Sequence, residues 1–270
     1  MSTWIGLALG LVSALTVNWA YTLEHDAAVD LPPLSPRQPV HSAWVLLRDR
    51  GWLIGFGTES GGWLLYVAAL ALAPLALVQA VSASGIAVLA LIAARGHPRR
   101  LAFHQQLAVV LALVGLGLLS GSLLGLRPSD RVPATIPTIV WLGACAGGAF
   151  ALTTVRIRAS RAAAFGLAAG LMFAGGDISV KLVVYGGWWL IAVSTLLIFY
   201  GVGTMRLQAA FQQGDALTAA GMATLATNAV PIAAGFVLFD ERLPVGVYGG
   251  LQLAGFTSIV LGAVALANPR

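Results

Sequence analysis

The fold class predicted by this sequence is an all-α, polytopic membrane helix bundle, and three observations predict it. Only 9% of the residues are Asp, Glu, Lys or Arg, and 59% are hydrophobic. The apolar residues fall into blocks about twenty long, the length a helix needs to cross the hydrocarbon core. No block alternates polar with apolar residues, which argues against a membrane barrel. Helices are the other way to satisfy a backbone in lipid.

Nine spans account for the blocks. They are Trp4–Leu23, Gly51–Ala73, Leu75–Ala94, Leu101–Leu124, Pro133–Val155, Ala162–Leu182, Trp188–Met205, Ala216–Phe239 and Val245–Ala267. The connections are too short for a sizeable soluble domain. The longest, Glu24–Arg50, carries four prolines (Pro32, Pro33, Pro36, Pro39) and is expected to be a cytoplasmic loop. Its end, Ser42–Leu47, reads as a short interfacial helix, with Trp44 close to Arg48 and Arg50. Met1–Trp4 lacks a basic stretch, so the first span is not expected to be a cleaved signal peptide.

The net charge of +5 reflects basic loops, which speak of membrane topology and not of nucleic acid. One side would hold Arg37, Arg48, Arg50, Arg95, Arg99, Arg100, Arg156, Arg158, Arg161, Arg206 and Arg270. The other would hold Arg127, Arg131, Lys181 and Arg242. The richer side is expected to face the cytoplasm, with the N-terminus outside and the C-terminus inside a plasma membrane. The lone Cys145 excludes an intrachain disulfide and reads as a small apolar packing residue.

The chain also echoes itself. Gly6-Leu-Ala-Leu-Gly-Leu11 recurs as Gly166-Leu-Ala-Ala-Gly-Leu171, and Ala76-Leu77 in the third span recurs as Ala216-Leu217 in the eighth. Two repeats follow: residues 1–155 with five spans and residues 162–270 with four. Five is an odd number of crossings, so the second copy is inverted. Inverted repeats are a common architecture of secondary transporters, with the substrate near the midplane between the halves. Gly-x-x-x-Gly pairs such as Gly117/Gly121, Gly143/Gly147 and Gly246/Gly250 suit close helix packing.

In Ile5-Gly-Leu-Ala-Leu-Gly-Leu-Val-Ser13, Gly57-Thr-Glu-Ser60 with Tyr66–Pro74 and Leu77-Val78, and Phe239-Asp-Glu-Arg-Leu243, the chain resembles the drug/metabolite transporter superfamily. Within it the likeness is to NIPA-type magnesium transporters. The resemblance implies an EamA-like fold of two inverted five-helix repeats, here lacking the tenth helix. It also implies a metal-binding role at Glu59 if the substrate is a cation. The chain departs from the NIPA pattern at Leu23-Glu-His-Asp26 and at Tyr200-Gly-Val-Gly-Thr-Met-Arg206.

Ionisable groups inside spans carry the functional reading. Glu59 lies roughly 13 Å into the membrane at the helical rise, where a carboxylate costs on the order of 2.5–3.5 kcal/mol. A proton, a cation or a hydrogen-bond donor must offset that cost. Asp177 and Lys181 share a helix face at i, i+4, as a salt bridge or as a gate or substrate contact. Asn18 and Trp19, near the inner end of the first span, stand opposite Asp177-Ile178 in the repeat; Asn18 suits a helix–helix bond or a cavity wall. Asn228 precedes Pro231, whose ring frees a backbone carbonyl near Thr227. Gln79, His104, Gln105 and Gln106 are weaker candidates.

The four histidines lack ligand spacing, so no zinc site and no cofactor are expected. No phosphate-binding loop and no nucleophile–base pair stand out, so an enzyme is not expected either. The expectation is a secondary transporter of a small solute, coupled to protons or a cation at Glu59. A divalent-cation permease is the alternative within the same fold, and a scaffold or lipid-carrier handling protein the alternative outside it. The partners are the lipid bilayer and a small solute or cation, with a homodimer left open.

Overall fold

In a computed structural model the chain is a helical bundle. The structure describes residues 2–34, 38–72, 81, 85, 102–122, 133–154, 160–239 and 246–267. Among them are nine α-helices: α1 Ser2–Asp30, α2 Pro39–Arg48, α3 Arg50–Leu72, α4 Phe103–Ser122, α5 Thr135–Thr154, α6 Arg161–Val184, α7 Ala192–Phe211, α8 Ala216–Leu238 and α9 Val247–Ala267. Among the described residues five segments are long and apolar enough to cross a membrane, those built on α1, α5, α6, α7 and α8; α4 and α9 contain shorter apolar stretches. The expected third span, Leu75–Ala94, and Gln79 with it, lies outside the described residues apart from Val81 and Gly85.

The first helix departs from expectation. It does not end at Leu23 but continues through Glu24, His25 and Asp26 to Asp30. Neither Pro nor Gly occurs between Gly10 and Pro32, so nothing in the backbone stops it. The expected loop at 24–50 is therefore largely helical, because α2 begins at Pro39 and α3 at Arg50. Pro39 sits where a helix tolerates proline, in the first turn, where its missing N–H costs nothing. The Asp49 side chain accepts from Trp52 N at 2.7 Å and caps α3.

Helix α6 is the central post: 72% of its apolar stretch is buried, against 17% for α5. Its small residues make that position workable. A Cβ at Gly166 would meet Ala219 O at 2.3 Å, and one at Gly170 would meet Ala223 O at 2.4 Å, so α6 and α8 cross with their backbones nearly touching. On another face Gly175 and Gly176 make room for the rings of Phe199 and Tyr200 on α7. Ser160 caps α6, accepting from Ala163 N at 3.1 Å, and Asp215 caps α8, accepting from Thr218 N at 2.9 Å. Helix α6 ends at a turn in which Gly186 and Gly187 take φ of 69° and 58°, a left-handed conformation that suits glycine.

Two helix pairs flank the post. Helix α1 runs antiparallel to α3 along Gly55 and Gly62: a Cβ at Gly62 would meet Val17 Cγ2 at 2.7 Å, and one at Gly55 would meet Glu24 Cγ at 2.7 Å. Ser13 Oγ donates to Gly62 O at 2.6 Å across the same seam. Helix α4 runs antiparallel to α9 through Gly115 and Gly255, each of whose added Cβ would meet the other's carbonyl oxygen at 2.9 Å. Cys145 is buried and packs with Ala149, Ala168, Met172 and Phe199, as a small apolar residue should.

Candidate functional site

The polar centre of the bundle lies where α1, α3 and α7 meet. The register of α1 against α3, with Val17 facing Gly62 and Glu24 facing Gly55, sets Glu59 level with Ala20 and Tyr21. The Glu59 carboxyl interacts with the carboxyl of Glu24 and with the Tyr21 hydroxyl. Glu24 is fully buried, at 0% exposure, while Glu59 is half-buried. Two carboxyls from different helices therefore share one pocket, an arrangement that needs a proton or a cation between them, since like charges cannot both stay ionised at contact.

Helix α7 closes the group. Gln208, also at 0% exposure, donates its Nε2 to Glu24 Oε2. One turn on, Gln212 Nε2 donates to Ala28 O at 2.8 Å and its Oε1 accepts from Leu34 N at 2.9 Å. That single amide satisfies backbone groups at the end of α1 that would otherwise go unpaired. His25 joins the same junction, with Nε2 3.1 Å from Gly214 O and its ring edge-on to Phe211 at 5.7 Å. The last two turns of α1 are thus bound to the end of α7 and the turn that follows it, from Gln208 to Gly214.

Among the described residues, Glu24 Oε1 and Gln208 Oε1 have no hydrogen-bond partner. An unmet buried acceptor costs about 1–3 kcal/mol. Glu24 Oε1, Gln208 Oε1, the Glu59 carboxyl and the Tyr21 hydroxyl are hard oxygens, the ligand type that magnesium and calcium take. Among the described residues no cluster of three or more His, Cys, Asp and Glu side chains forms a metal cage. Any cation here would be held by two carboxyls with neutral oxygens and water, a set suited to magnesium, which keeps part of its hydration shell.

Asp177 forms a second polar node on α6. Tyr200, seated in the notch at Gly176, donates its hydroxyl to Asp177 Oδ1 at 2.5 Å. Tyr200 is also an electrostatic neighbour of Glu59 and of Tyr66 on α3. Lys181 Nζ lies 3.8 Å above the Phe239 ring, a cation–π contact at the far end of the same helix.

The remaining residues singled out from sequence fall elsewhere. Asn18 is buried, donates Nδ2 to Ala14 O of its own helix at 2.8 Å, and leaves no room for a Cβ at Gly85. Trp19 lies on the outer face of α1, 53% exposed. Asn228 is half-buried and donates Nδ2 to Thr224 O at 2.7 Å, one turn before Pro231 in α8. The structure brings Glu59 together with Glu24, Tyr21 and Gln208, none of which stood out as a site residue from sequence.

Long apolar helices around interior carboxyls define a multi-pass helical membrane protein. Comparison with known proteins points the same way. The chain is similar to a probable magnesium transporter, NIPA9, of Arabidopsis thaliana, with 23% identity over 289 residues spanning 98% of this chain and 82% of that relative. No protein-family model matches the chain, and no solved structure matches it.

Proposed function

We propose that the protein transports a divalent cation of the magnesium type across a membrane, binding it between Glu24 and Glu59. The observation that carries this reading is the pair itself: two carboxyls from α1 and α3 facing one another, one of them fully buried. The neutral oxygens of Gln208 and Tyr21 supply the rest of a hard donor set, and water completes it. The distant relative named a magnesium transporter adds independent support. Alternating access would come from rocking the α1–α3 pair against the block of α6, α7 and α8. Two inverted repeats, residues 1–155 and 162–270, are part of this proposal.

A second reading keeps the same site and changes its occupant. Two facing carboxyls can hold one proton between them, which would couple proton movement to a small solute. Purified protein in liposomes with an entrapped magnesium indicator separates the two. Saturable magnesium entry without a pH gradient is the expected result. Magnesium-independent proton flux that drives a solute would favour the second reading, and neither flux would sink both. The orientation, N-terminus outside, is part of the proposal. A cysteine introduced at the exposed Gln213 should resist membrane-impermeant thiol reagents applied to whole cells.

A further inference from the structure

The polar groups of the bundle climb through it in order. The end of α1, the start of α3, the end of α7 and the start of α6 lie on one face: Gln212 binds the last carbonyls of α1, Gly51 packs on Ala27, and Gly214 packs on Ala162. Heights above that face follow from the helical rise. Glu24 stands about 9 Å up, Glu59 about 13 Å, Tyr200 about 16 Å and Asp177 about 24 Å. Consecutive members of the series touch or are electrostatic neighbours: Glu24 with Glu59, Glu59 with Tyr200, and Tyr200 with Asp177. Glu59, Tyr200 and Asp177 are each half-buried, whereas Glu24 at the foot of the series is fully buried.

We infer that Asp177 is the second station of a cation path whose first station is the Glu24–Glu59 pair, and that the Tyr200 hydroxyl is the hand-over group between them. This rests on the cation reading proposed above. Tyr200 suits the task because its hydroxyl is both a donor and an acceptor on a ring held in a fixed notch. It donates to Asp177 Oδ1 at 2.5 Å. When a partly hydrated divalent ion reaches Asp177, the hydroxyl can turn its lone pair toward the ion or its water. The two stations sit on different parts of the bundle, with Glu24 and Glu59 on the α1–α3 pair and Asp177 on α6, in the block of α6, α7 and α8. A rocking motion of that pair against the block would open and close the gap that Tyr200 spans. Asp177 is thus a cation-binding group toward the far end of the path, and Tyr200 a positioning residue.

Equilibrium magnesium binding and magnesium flux, measured on the same purified protein in liposomes, separate the stations. Asp177→Asn should leave binding at the lower pair intact and slow flux by about tenfold, the size of one lost charged interaction. Tyr200→Phe keeps the ring in its notch and removes only the hydroxyl; it should bind magnesium normally and also slow flux. If Asp177→Asn inserts poorly, Tyr200→Phe alone decides. Normal flux in a well-inserted Asp177→Asn or Tyr200→Phe variant overturns the second station. Loss of magnesium binding in Glu24→Gln alongside normal flux in both of those variants leaves the lower site standing and removes only this inference. Unchanged magnesium binding in Glu24→Gln removes the lower site itself, and the second station falls with it.

Discussion

Two helix pairs in this bundle use the same packing device and put it to different uses. Helices α1 and α3 run antiparallel across Gly55 and Gly62; helices α4 and α9 run antiparallel across Gly115 and Gly255. Both seams carry one hydroxyl-to-carbonyl bond between helices, Ser13 to Gly62 at 2.6 Å and Ser258 to Leu111 at 2.8 Å. The α4–α9 seam otherwise closes on Leu116, Leu119 and Ile259. The α1–α3 seam closes on two carboxyls. A glycine notch therefore says that two helices come close, and nothing about why. Function enters only where the residue facing the notch is one that lipid and protein would both reject without a partner.

Removing the charge should produce the largest effect. Glu24→Gln and Glu59→Gln each keep size and hydrogen bonding while removing a negative charge from the site. Magnesium flux should fall by about hundredfold, corresponding to about 3 kcal/mol. The folded bundle should keep its thermal stability or gain some, because a buried charge has been replaced by a neutral group. Normal flux in either variant would make the α1–α3 seam no different in kind from α4–α9.

Overfilling the other seam should do the opposite. At Gly115→Leu the new side chain would collide with backbone atoms of Gly255 and Ile259, which lie 2.9 Å from the Cβ position. A loss of about 1–3 kcal/mol in stability is expected, with flux per folded molecule unchanged. A selective loss of transport at full stability would show that α4–α9 also belongs to the transport path.

Two glutamines on α7 sharpen the contrast at smaller scale. Gln208→Leu removes the donor to Glu24 and should lower flux by about tenfold. Gln212→Ala removes the amide that ties off the end of α1. It should cost about 1 kcal/mol of stability and leave the intrinsic transport rate nearly as it was. Equal effects of the two substitutions on flux would mean that Gln208 acts only as a structural tether, like Gln212.

The bundle itself was legible because membrane helices announce themselves by composition over about twenty residues. Glu59 was legible for the same reason, as one charge in a long apolar block. Its partner was hidden by that rule. Glu24 falls just after Leu23, where the apolar run stops, and Glu-His-Asp reads as a loop by polarity alone. The usable signal was the absence of Pro and Gly before Pro32, which lets the helix run on to Asp30. The Leu23–Asp26 and Tyr200–Arg206 segments, seen from sequence only as departures from a family pattern, turn out to hold Glu24 and Tyr200.

Gln208 carried no local signal. Its bond to Glu24 joins positions 184 residues apart, and no periodicity of either helix encodes that distance. Trp19 shows the reverse case. It was singled out with Asn18 for its place opposite Asp177-Ile178 in the repeat, but adjacent residues on a helix point about 100° apart. Asn18 faces in and Trp19 faces out.

The central claim is that Glu24 and Glu59 form one cation site and not two independent acids. A double-mutant cycle on magnesium affinity tests it most directly, using Glu24→Gln, Glu59→Gln and the combined variant, each measured by calorimetry on protein verified as folded. A shared site predicts that either single substitution nearly abolishes binding and that the double variant is no worse than the singles. Two losses that simply add, or a single variant that binds magnesium as tightly as the parent, would contradict it.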